Sequence, residues 1–142
     1  MSSPLYTAEA TARGDGRNGE VTSADGVIDE KLSIPKELGG PGGSQTNPEQ
    51  LFAAGYAACF HSALRLVAGQ AGVRLEDSEV TASVSLHKTD RGNFALSVVL
   101  EARLPGLEQT KADEFVAGAH ERCPYSNATR GNIEVVIRAV TS

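Results

Sequence analysis

Two cysteines and two histidines are the residues of this chain with the widest range of possible chemistry. Cys59 lies in the stretch NPEQLFAAGYAACFH, and His61 follows it two positions later; His120 and Cys123 lie in HERCP, near the other end of the chain. Thiols and imidazoles can act as nucleophiles, metal ligands or redox groups. The chain has only 2 cysteines, so any chemistry that needs two thiols must join these distant positions.

Three explanations of Cys59 compete. Free cysteine is among the most buried residue types and packs like a small hydrophobe, so an inert core thiol is the simplest. Cys59, His61, His120 and Cys123 also form a Cys2His2 set of the kind that binds zinc. On a helix, however, residues two apart point about 200° away from each other, so Cys59 and His61 cannot readily face one ion. The third explanation is a redox pair of Cys59 and Cys123.

A redox thiol would need a cation beside it. Only the thiolate attacks, and apolar surroundings raise the pKa of a cysteine unless a positive charge lies nearby. The candidate cations are Arg17, Arg122 and Arg130, although each is more often a solvated surface residue. Glu49, at the start of the stretch that holds Cys59, is likewise more often a favourable charge at a helix N-terminus. The residue types alone therefore leave the three explanations open.

The composition predicts one soluble globular domain over residues 1–142. Hydrophobic residues make up 40% and charged residues 22% of the chain, and no uninterrupted apolar run reaches the roughly 20 residues of a membrane span. The N-terminus lacks the basic and apolar pattern of a secretory signal, so we expect a cytoplasmic protein without a resting structural disulfide. The net charge of −5 would repel a phosphate backbone. Nucleic acid and membrane are therefore not expected as partners.

The first half of the chain predicts a small sheet followed by a long helix. Three extended runs occupy residues 5–12, 20–26 and 27–33, with the glycine-rich turn RGDGRNG after the first. The loop IPKELGGPGGSQT then contains too much glycine and proline for regular structure. Asn47 is a good N-cap, Pro48 suits the first helical position, and Gln50 can return a hydrogen bond to the cap. The helix is apolar nearly all round and ends near Gly69 or Gly72, so we expect it to be central and buried.

The second half predicts a hairpin, a helix and a closing strand. Hydrophobic residues alternate on both sides of the turn TDRGN, from Val80 to Leu104. A helix follows from about residue 108 to 122, and its apolar stripe leads to Cys123. Pro124 can begin a short turn, SNATRGN follows it, and IEVVIRAV is typical of a strand. The fold class is therefore α+β with antiparallel sheet.

Four motifs in this order resemble one known family. They are GRNG at 16–19, SIPKELGGPGG at 33–43, TNPEQLFAAGYAACF at 46–60 and ERCPYSNATRGNIEV at 121–135. Together they resemble the organic hydroperoxide resistance proteins of the Ohr/OsmC family, over essentially the whole chain. CPYSNATRGN is similar to the organic hydroperoxide branch and not to the osmotically induced sister branch. Asn18 stands where the family often has Asp, and we expect little effect from this difference.

The resemblance implies a role for four residues of this chain. Cys59 would be the peroxidatic thiol, Cys123 the resolving thiol, Arg17 the cation beside the thiolate, and Glu49 the carboxylate that positions Arg17. It also implies antiparallel sheets wrapped around central apolar helices in an intertwined homodimer. No metal, haem or flavin would be needed, and the reductant would be a dihydrolipoyl group on a lipoylated protein.

The implied activity is reduction of alkyl, aryl or fatty-acid hydroperoxides to alcohols, through a sulfenic acid on Cys59 and a disulfide with Cys123. The apolar residues around Cys59 favour such substrates, and we expect Phe52, Tyr56 and Phe60 to contact them. Two alternatives are a peroxidase of the sister branch with a different substrate range, and a non-enzymatic carrier of oxidised lipids.

Helix geometry predicts a site shared between two subunits. Glu49 and Cys59 are ten residues apart, which is about 15 Å along a helix axis with a rotation of about 280°. Either the helix breaks between them, for example at Gly55, or the carboxylate near each sulfur comes from a partner whose central helix packs antiparallel. We favour the partner, because a nearly all-apolar helix in so short a chain also needs additional burial.

Overall fold

The computed structural model of this protein describes residues 2–142. The chain divides into two compact units, residues 1–51 and residues 52–142. The long helix α1, Pro48–Gln70, begins in the first unit and continues in the second. That the two units form the one domain expected over residues 1–142 stays a prediction.

The first unit contains a three-stranded antiparallel sheet. Its strands are β1 (Ala10–Arg13), β2 (Glu20–Ser23) and β3 (Asp29–Lys31), in that order. The strands are shorter than predicted, and a 3-10 turn, Gly16–Asn18, lies in the reversal between β1 and β2. This reversal is so tight that a Cβ on Gly19 would lie 2.2 Å from the backbone oxygen of Arg13. The predicted irregular loop contains one further 3-10 turn, Lys36–Leu38.

The ends of α1 lie where the sequence predicts them. The Asn47 side-chain oxygen accepts a 2.8 Å hydrogen bond from the Gln50 backbone N–H, which confirms the N-cap. The returning bond is not the predicted one, because the Gln50 side-chain oxygen accepts instead from the Thr46 hydroxyl, at 2.8 Å. At the other end Gly72 has a φ of +79°, a left-handed conformation that suits the residue after a helix.

Only one face of α1 is buried within a single chain. The buried residues are Tyr56, Phe60, Ala63, Leu64 and Ala68. Ala54 and Ala58 are exposed on another face, and Leu66 is 52% exposed. The other elements of one chain therefore cover only one stripe of α1, and the rest of this apolar helix lacks the burial that the sequence predicts for it. By length and composition α1 could also cross a membrane, but the core helix of a soluble protein passes the same test.

The second unit contains a mixed sheet. Its strands are β4 (Glu79–Lys88), β5 (Phe94–Arg103) and β6 (Val135–Val140), in that order. β4 and β5 form the predicted antiparallel hairpin, with Val84 opposite Val98. β6 instead pairs parallel to β5, with Ile137 opposite Leu100. The α+β class is confirmed, whereas the sheet is not antiparallel throughout, because the helices between β5 and β6 return the chain to the same end of the sheet.

Two helices lie between β5 and β6 in the chain, and the first of them packs against β6. They are α2 (Gln109–Arg122) and α3 (Pro124–Thr129). The apolar stripe of α2 is buried as predicted, with the residues Ala112, Phe115, Val116 and Ala119. The short turn predicted at Pro124 is a helix of six residues that includes the first part of SNATRGN, because Pro124 at the first position favours a new helix after the break at Cys123.

Candidate active site

The two cysteines meet in the second unit. Cys59 lies on α1, and Cys123 is the residue between α2 and α3. Their sulfur atoms are 3.5 Å apart, and both are free thiols. Cys123 is fully buried, whereas Cys59 is partly exposed. A molecule from solvent can therefore reach Cys59 first, with Cys123 directly behind it.

The surroundings of Cys59 do not by themselves favour a thiolate. Burial raises the pKa of this thiol above its ordinary value, and the neighbouring Cys123 raises it further. A hydrogen bond from the Tyr125 backbone N–H acts in the opposite direction but is the smaller effect. No cationic side chain contributes to this shift within residues 2–142 of one chain. A reactive Cys59 therefore requires a positive charge that this arrangement does not supply.

Arg17 and Glu49 form an ion pair in the first unit. Arg17 lies in the 3-10 turn after β1, and Glu49 lies in the first turn of α1. Two parallel hydrogen bonds of 2.7 and 2.9 Å join the guanidinium to the carboxylate. This bidentate contact fixes the orientation of the guanidinium as well as its position.

The same contact shifts the titration of both groups. The bonds from Arg17 hold the pKa of Glu49 below its usual value, although burial opposes this, and the pKa of Arg17 is raised. Glu49 is therefore ionised at neutral pH. Because its folded pKa is lowered, the pair stabilises the fold above the unfolded pKa of a glutamate, and this contribution is lost as the pH falls through the lowered value.

Asn18 anchors the turn that carries Arg17. Its side-chain oxygen accepts a 2.9 Å hydrogen bond from the backbone N–H of Ile34. An aspartate carboxylate at this position could accept the same bond, so the amide preserves the contact.

The other candidate residues have different partners. Arg130 donates to the His120 backbone oxygen at 2.7 Å and to the Asn127 side chain, and Arg122 is exposed. His61 bonds to the Ser78 hydroxyl at 2.9 Å. His120 bonds to the Ser126 hydroxyl at 2.8 Å. Across residues 2–142, no three histidine, cysteine or acidic side chains are grouped so that they could hold a metal ion.

An apolar cavity of about 600 Å³ lies in the second unit. Its lining residues are Phe52, Phe94, Ala95, Leu96, Pro124, Tyr125, Ala128, Thr129, Asn132 and Ile133. Of the three predicted contact residues only Phe52 is among them. Tyr56 and Phe60 are 0% exposed and belong to the core, because they lie on the buried stripe of α1. This part of the prediction is corrected.

Tyr125 is the main lining residue that the sequence reasoning missed. Its ring packs against Phe52 and Tyr56, with centroids 6.2 and 5.6 Å apart. A Cβ on Gly55 would lie 2.8 Å from the Tyr125 hydroxyl, so this glycine leaves the room in which the ring lies on α1. Its position in the sequence, directly after Cys123 and Pro124, was the signal that could have placed it near the thiols. α1 is continuous at Gly55, so the alternative of a helix broken there is wrong.

Comparison with known proteins identifies the family. Residues 40–138 match the family described as OsmC-like protein. The chain belongs to the Ohr/OsmC family. It is 50% identical over 141 residues to the organic hydroperoxide resistance protein of Xanthomonas axonopodis pv. citri (strain 306), an alignment that covers 96% of this chain and 98% of the relative.

Two crystal structures of organic hydroperoxide resistance proteins share the fold. The protein from Legionella pneumophila has a TM-score of 0.91 and 52% sequence identity, over 97% of this chain and 99% of its own. The protein from Elizabethkingia anophelis has a TM-score of 0.93 and 47% identity, over 99% of this chain and 100% of its own. The family resemblance stated from the four sequence motifs is confirmed.

Proposed function

We propose that this protein is a thiol-dependent peroxidase that reduces organic hydroperoxides to alcohols. The observation that carries the proposal is the 3.5 Å approach of a partly exposed thiol, Cys59, to a buried one, Cys123. Relatives at about half sequence identity are named organic hydroperoxide resistance proteins, which supports the substrate class of this proposal. An inert core thiol would need neither partial exposure nor a second thiol beside it.

The first step is attack by the Cys59 thiolate on the outer oxygen of the hydroperoxide. The O–O bond breaks, the sulfur loses two electrons and becomes a sulfenic acid, and the alkoxide leaves and takes up a proton to form the alcohol. Negative charge builds on the departing oxygen during this step. A fixed guanidinium beside it would stabilise both this charge and the thiolate.

The second step is resolution by Cys123. Its thiol attacks the sulfenic sulfur, the S–O bond breaks, and the hydroxide leaves with the thiol proton as water. A disulfide bond is about 2.05 Å long, so closing the 3.5 Å gap requires only a small movement of α1 or of the α2–α3 junction. Burial of Cys123 keeps it from reacting with the peroxide directly.

Arg17 would act on the sulfur of a partner subunit. Burial raises the pKa of Cys59, so a cation is needed. Glu49 is about 15 Å along the helix axis from the Cys59 of its own continuous helix, and it holds Arg17 through two hydrogen bonds. An antiparallel partner helix would bring the pair of one subunit to the sulfur of the other. The exposed small residues of α1 fit such a homodimer, since they allow close helix packing.

The apolar cavity predicts a preference for organic hydroperoxides over hydrogen peroxide. Burying apolar groups contributes about 0.8 kcal/mol for each CH₂, so an alkyl group of four carbons would favour its hydroperoxide on the order of 100-fold in kcat/KM. Steady-state rates with tert-butyl hydroperoxide, cumene hydroperoxide and hydrogen peroxide measure this ratio. Equal efficiency with hydrogen peroxide would contradict the substrate assignment, and binding without any turnover would favour a carrier of oxidised lipids.

Removing the resolving thiol should expose Cys59 to overoxidation. In Cys123→Ser the sulfenic acid has no thiol 3.5 Å away, so excess hydroperoxide should convert it to sulfinic acid within the first turnovers. Mass spectrometry of the peptide that contains Cys59 reports this product. If Cys123→Ser turns over like the native protein without sulfinic acid, the resolving role is wrong.

The reductant is the one that the family resemblance implies. We propose that a dihydrolipoyl group on a lipoylated protein reduces the disulfide, with no bound cofactor, and that the reaction takes place in the cytoplasm. Parallel assays with dihydrolipoamide, thioredoxin and glutathione separate the reductants, since only the effective one sustains turnover at equal thiol concentration.

A further inference from the structure

Four polar side chains, three of them buried and the fourth, His120, half-buried, form a hydrogen-bonded chain near the two cysteines. The Tyr56 hydroxyl is 2.8 Å from the Ser126 hydroxyl and 3.0 Å from that of Thr129. The Ser126 hydroxyl is also 2.8 Å from Nδ1 of His120. Tyr56 and Ser126 are 0% exposed and Thr129 is 6% exposed. All four residues, hereafter the hydroxyl chain, belong to the second unit.

The hydroxyl chain joins the three helices next to the thiols. Tyr56 precedes Cys59 by three residues on α1, and His120 precedes Cys123 by three residues at the end of α2. Ser126 follows Cys123 by three residues in α3. Residues three apart on a helix are neighbours on its surface. The hydroxyl chain therefore connects the helical turns next to Cys59 with those next to Cys123.

The direction of the hydrogen bonds follows from counting protons. The Thr129 hydroxyl donates to the Ser126 backbone oxygen at 3.3 Å, so it can only accept from Tyr56. Tyr56 then has no proton left for Ser126 and must accept from it. Ser126 in turn must accept from His120, which requires a proton on Nδ1. Every buried side-chain polar atom in residues 2–142 has a partner.

We propose that the hydroxyl chain holds α3 against α1 and so positions Cys123 for disulfide formation with Cys59. Tyr56, Ser126 and His120 are then positioning residues that act through the cysteines and do not touch the substrate. The proposal rests on the proposed function, because it assigns these residues to its second step. Loss of one hydroxyl would leave buried polar atoms without hydrogen-bond partners, which costs free energy. We expect α3 to move so that these atoms find other partners.

His120 has a property that this arrangement requires. Burial lowers its pKa, and the charge of Arg130 lowers it further, against a smaller opposing effect of Glu121. The ring is therefore neutral above pH 7. A neutral ring carries one proton, and the hydroxyl chain places it on Nδ1.

The first test measures how closely the two thiols are held, without any peroxide. In a glutathione redox buffer, oxidised glutathione takes two electrons from Cys59 and Cys123 and yields two reduced glutathiones and the protein disulfide. The equilibrium constant gives the effective concentration of the Cys123 thiol at Cys59, which measures how well the two thiols are positioned for disulfide formation. We expect it to fall about tenfold in Tyr56→Phe and in Ser126→Ala, since small misplacements of reacting atoms have effects of this size or larger.

Ser97→Ala is the matched control. It removes a serine hydroxyl that bonds to His87 at 2.6 Å on an exposed part of the β4–β5 hairpin, and its effective thiol concentration should equal that of the native protein. Thermal unfolding verifies that each variant is folded, and Tyr56→Phe keeps its ring packing should Ser126→Ala not fold. Folded variants with native effective concentrations would overturn the proposal.

The second test reads the His120 tautomer by long-range ¹H–¹⁵N correlation at pH 7.5. We expect the Nδ1–H form in the native protein and a mixture of tautomers in Ser126→Ala. If His120 of the native protein has its proton on Nε2, the proposed hydroxyl chain is wrong. Failure of the native protein to consume hydroperoxide would overturn the proposed function instead, because neither the glutathione equilibrium nor the tautomer depends on peroxide turnover.

Discussion

Cys59→Ser should lose organic hydroperoxide reduction by at least about 1,000-fold. A serine hydroxyl is not ionised near neutral pH and is a weak nucleophile, whereas a thiolate is an intrinsically strong one. The measurement is consumption of cumene hydroperoxide with dihydrolipoamide as reductant. The substitution is nearly isosteric and the position is partly exposed, so we expect native thermal stability.

Cys123→Ser provides the comparison for this variant. It should still consume about one equivalent of hydroperoxide in a single turnover, because it keeps the attacking thiol. Substantial steady-state activity in Cys59→Ser would mean that another group performs the attack, and it would refute the assignment of the peroxidatic thiol.

Arg17→Ala should lower kcat/KM by roughly 100- to 1,000-fold, the usual effect of removing one group that stabilises transition-state charge. The pH dependence should change as well. Burial raises the pKa of Cys59, so without the cation the rate should continue to rise with pH beyond the point where the native rate becomes constant. The rate profile between pH 5 and about pH 10 measures this.

Arg103→Ala is the matched control for Arg17→Ala. It removes an arginine from another ion pair, with Glu79 at 2.8 Å between β4 and β5, and surface pairs of this kind contribute little to stability. Its rate and pH profile should be native. A native pH profile in Arg17→Ala would contradict the role of Arg17 at the thiolate.

Subunit mixing locates the Arg17–Glu49 pair. Glu49→Ala and Cys59→Ser chains, each nearly inactive alone, would be co-expressed and the heterodimers purified by two tags. A shared site predicts one active site per heterodimer. A heterodimer no more active than either variant alone would mean that each site uses Glu49 and Cys59 of the same chain. A monomer in sedimentation would contradict the shared site directly.

Local signals in the sequence were sufficient for much of the fold. Asn47 and Pro48 define the start of α1 through interactions within four residues, and the alternation on either side of TDRGN defines the β4–β5 hairpin. The parallel pairing of β6 was missed, because the direction of a pairing depends on the path of α2 and α3 and not on the pattern of β6 itself.

The candidate site was predicted only in part, because some of its features depend on how distant elements pack together. The family motifs named Cys59, Cys123, Arg17 and Glu49, and the structure brings the thiols together as one pair and the charged residues as another. Tyr56 and Phe60 were misassigned to the substrate, because periodicity marks a residue as apolar without telling which face of α1 is covered. Ser126 resembles an ordinary helix residue until its hydrogen bonds are seen.

The measurement that tests the central claim most directly is the mass and free-thiol count of the reduced native protein after one equivalent of cumene hydroperoxide, under non-reducing conditions. We predict a single chain with no free thiol and a mass lower by about 2 Da, which corresponds to loss of two hydrogens in a Cys59–Cys123 disulfide. Two thiols that remain free, a disulfide between chains, or a sulfinic acid on Cys59 beside a free Cys123 would contradict the account.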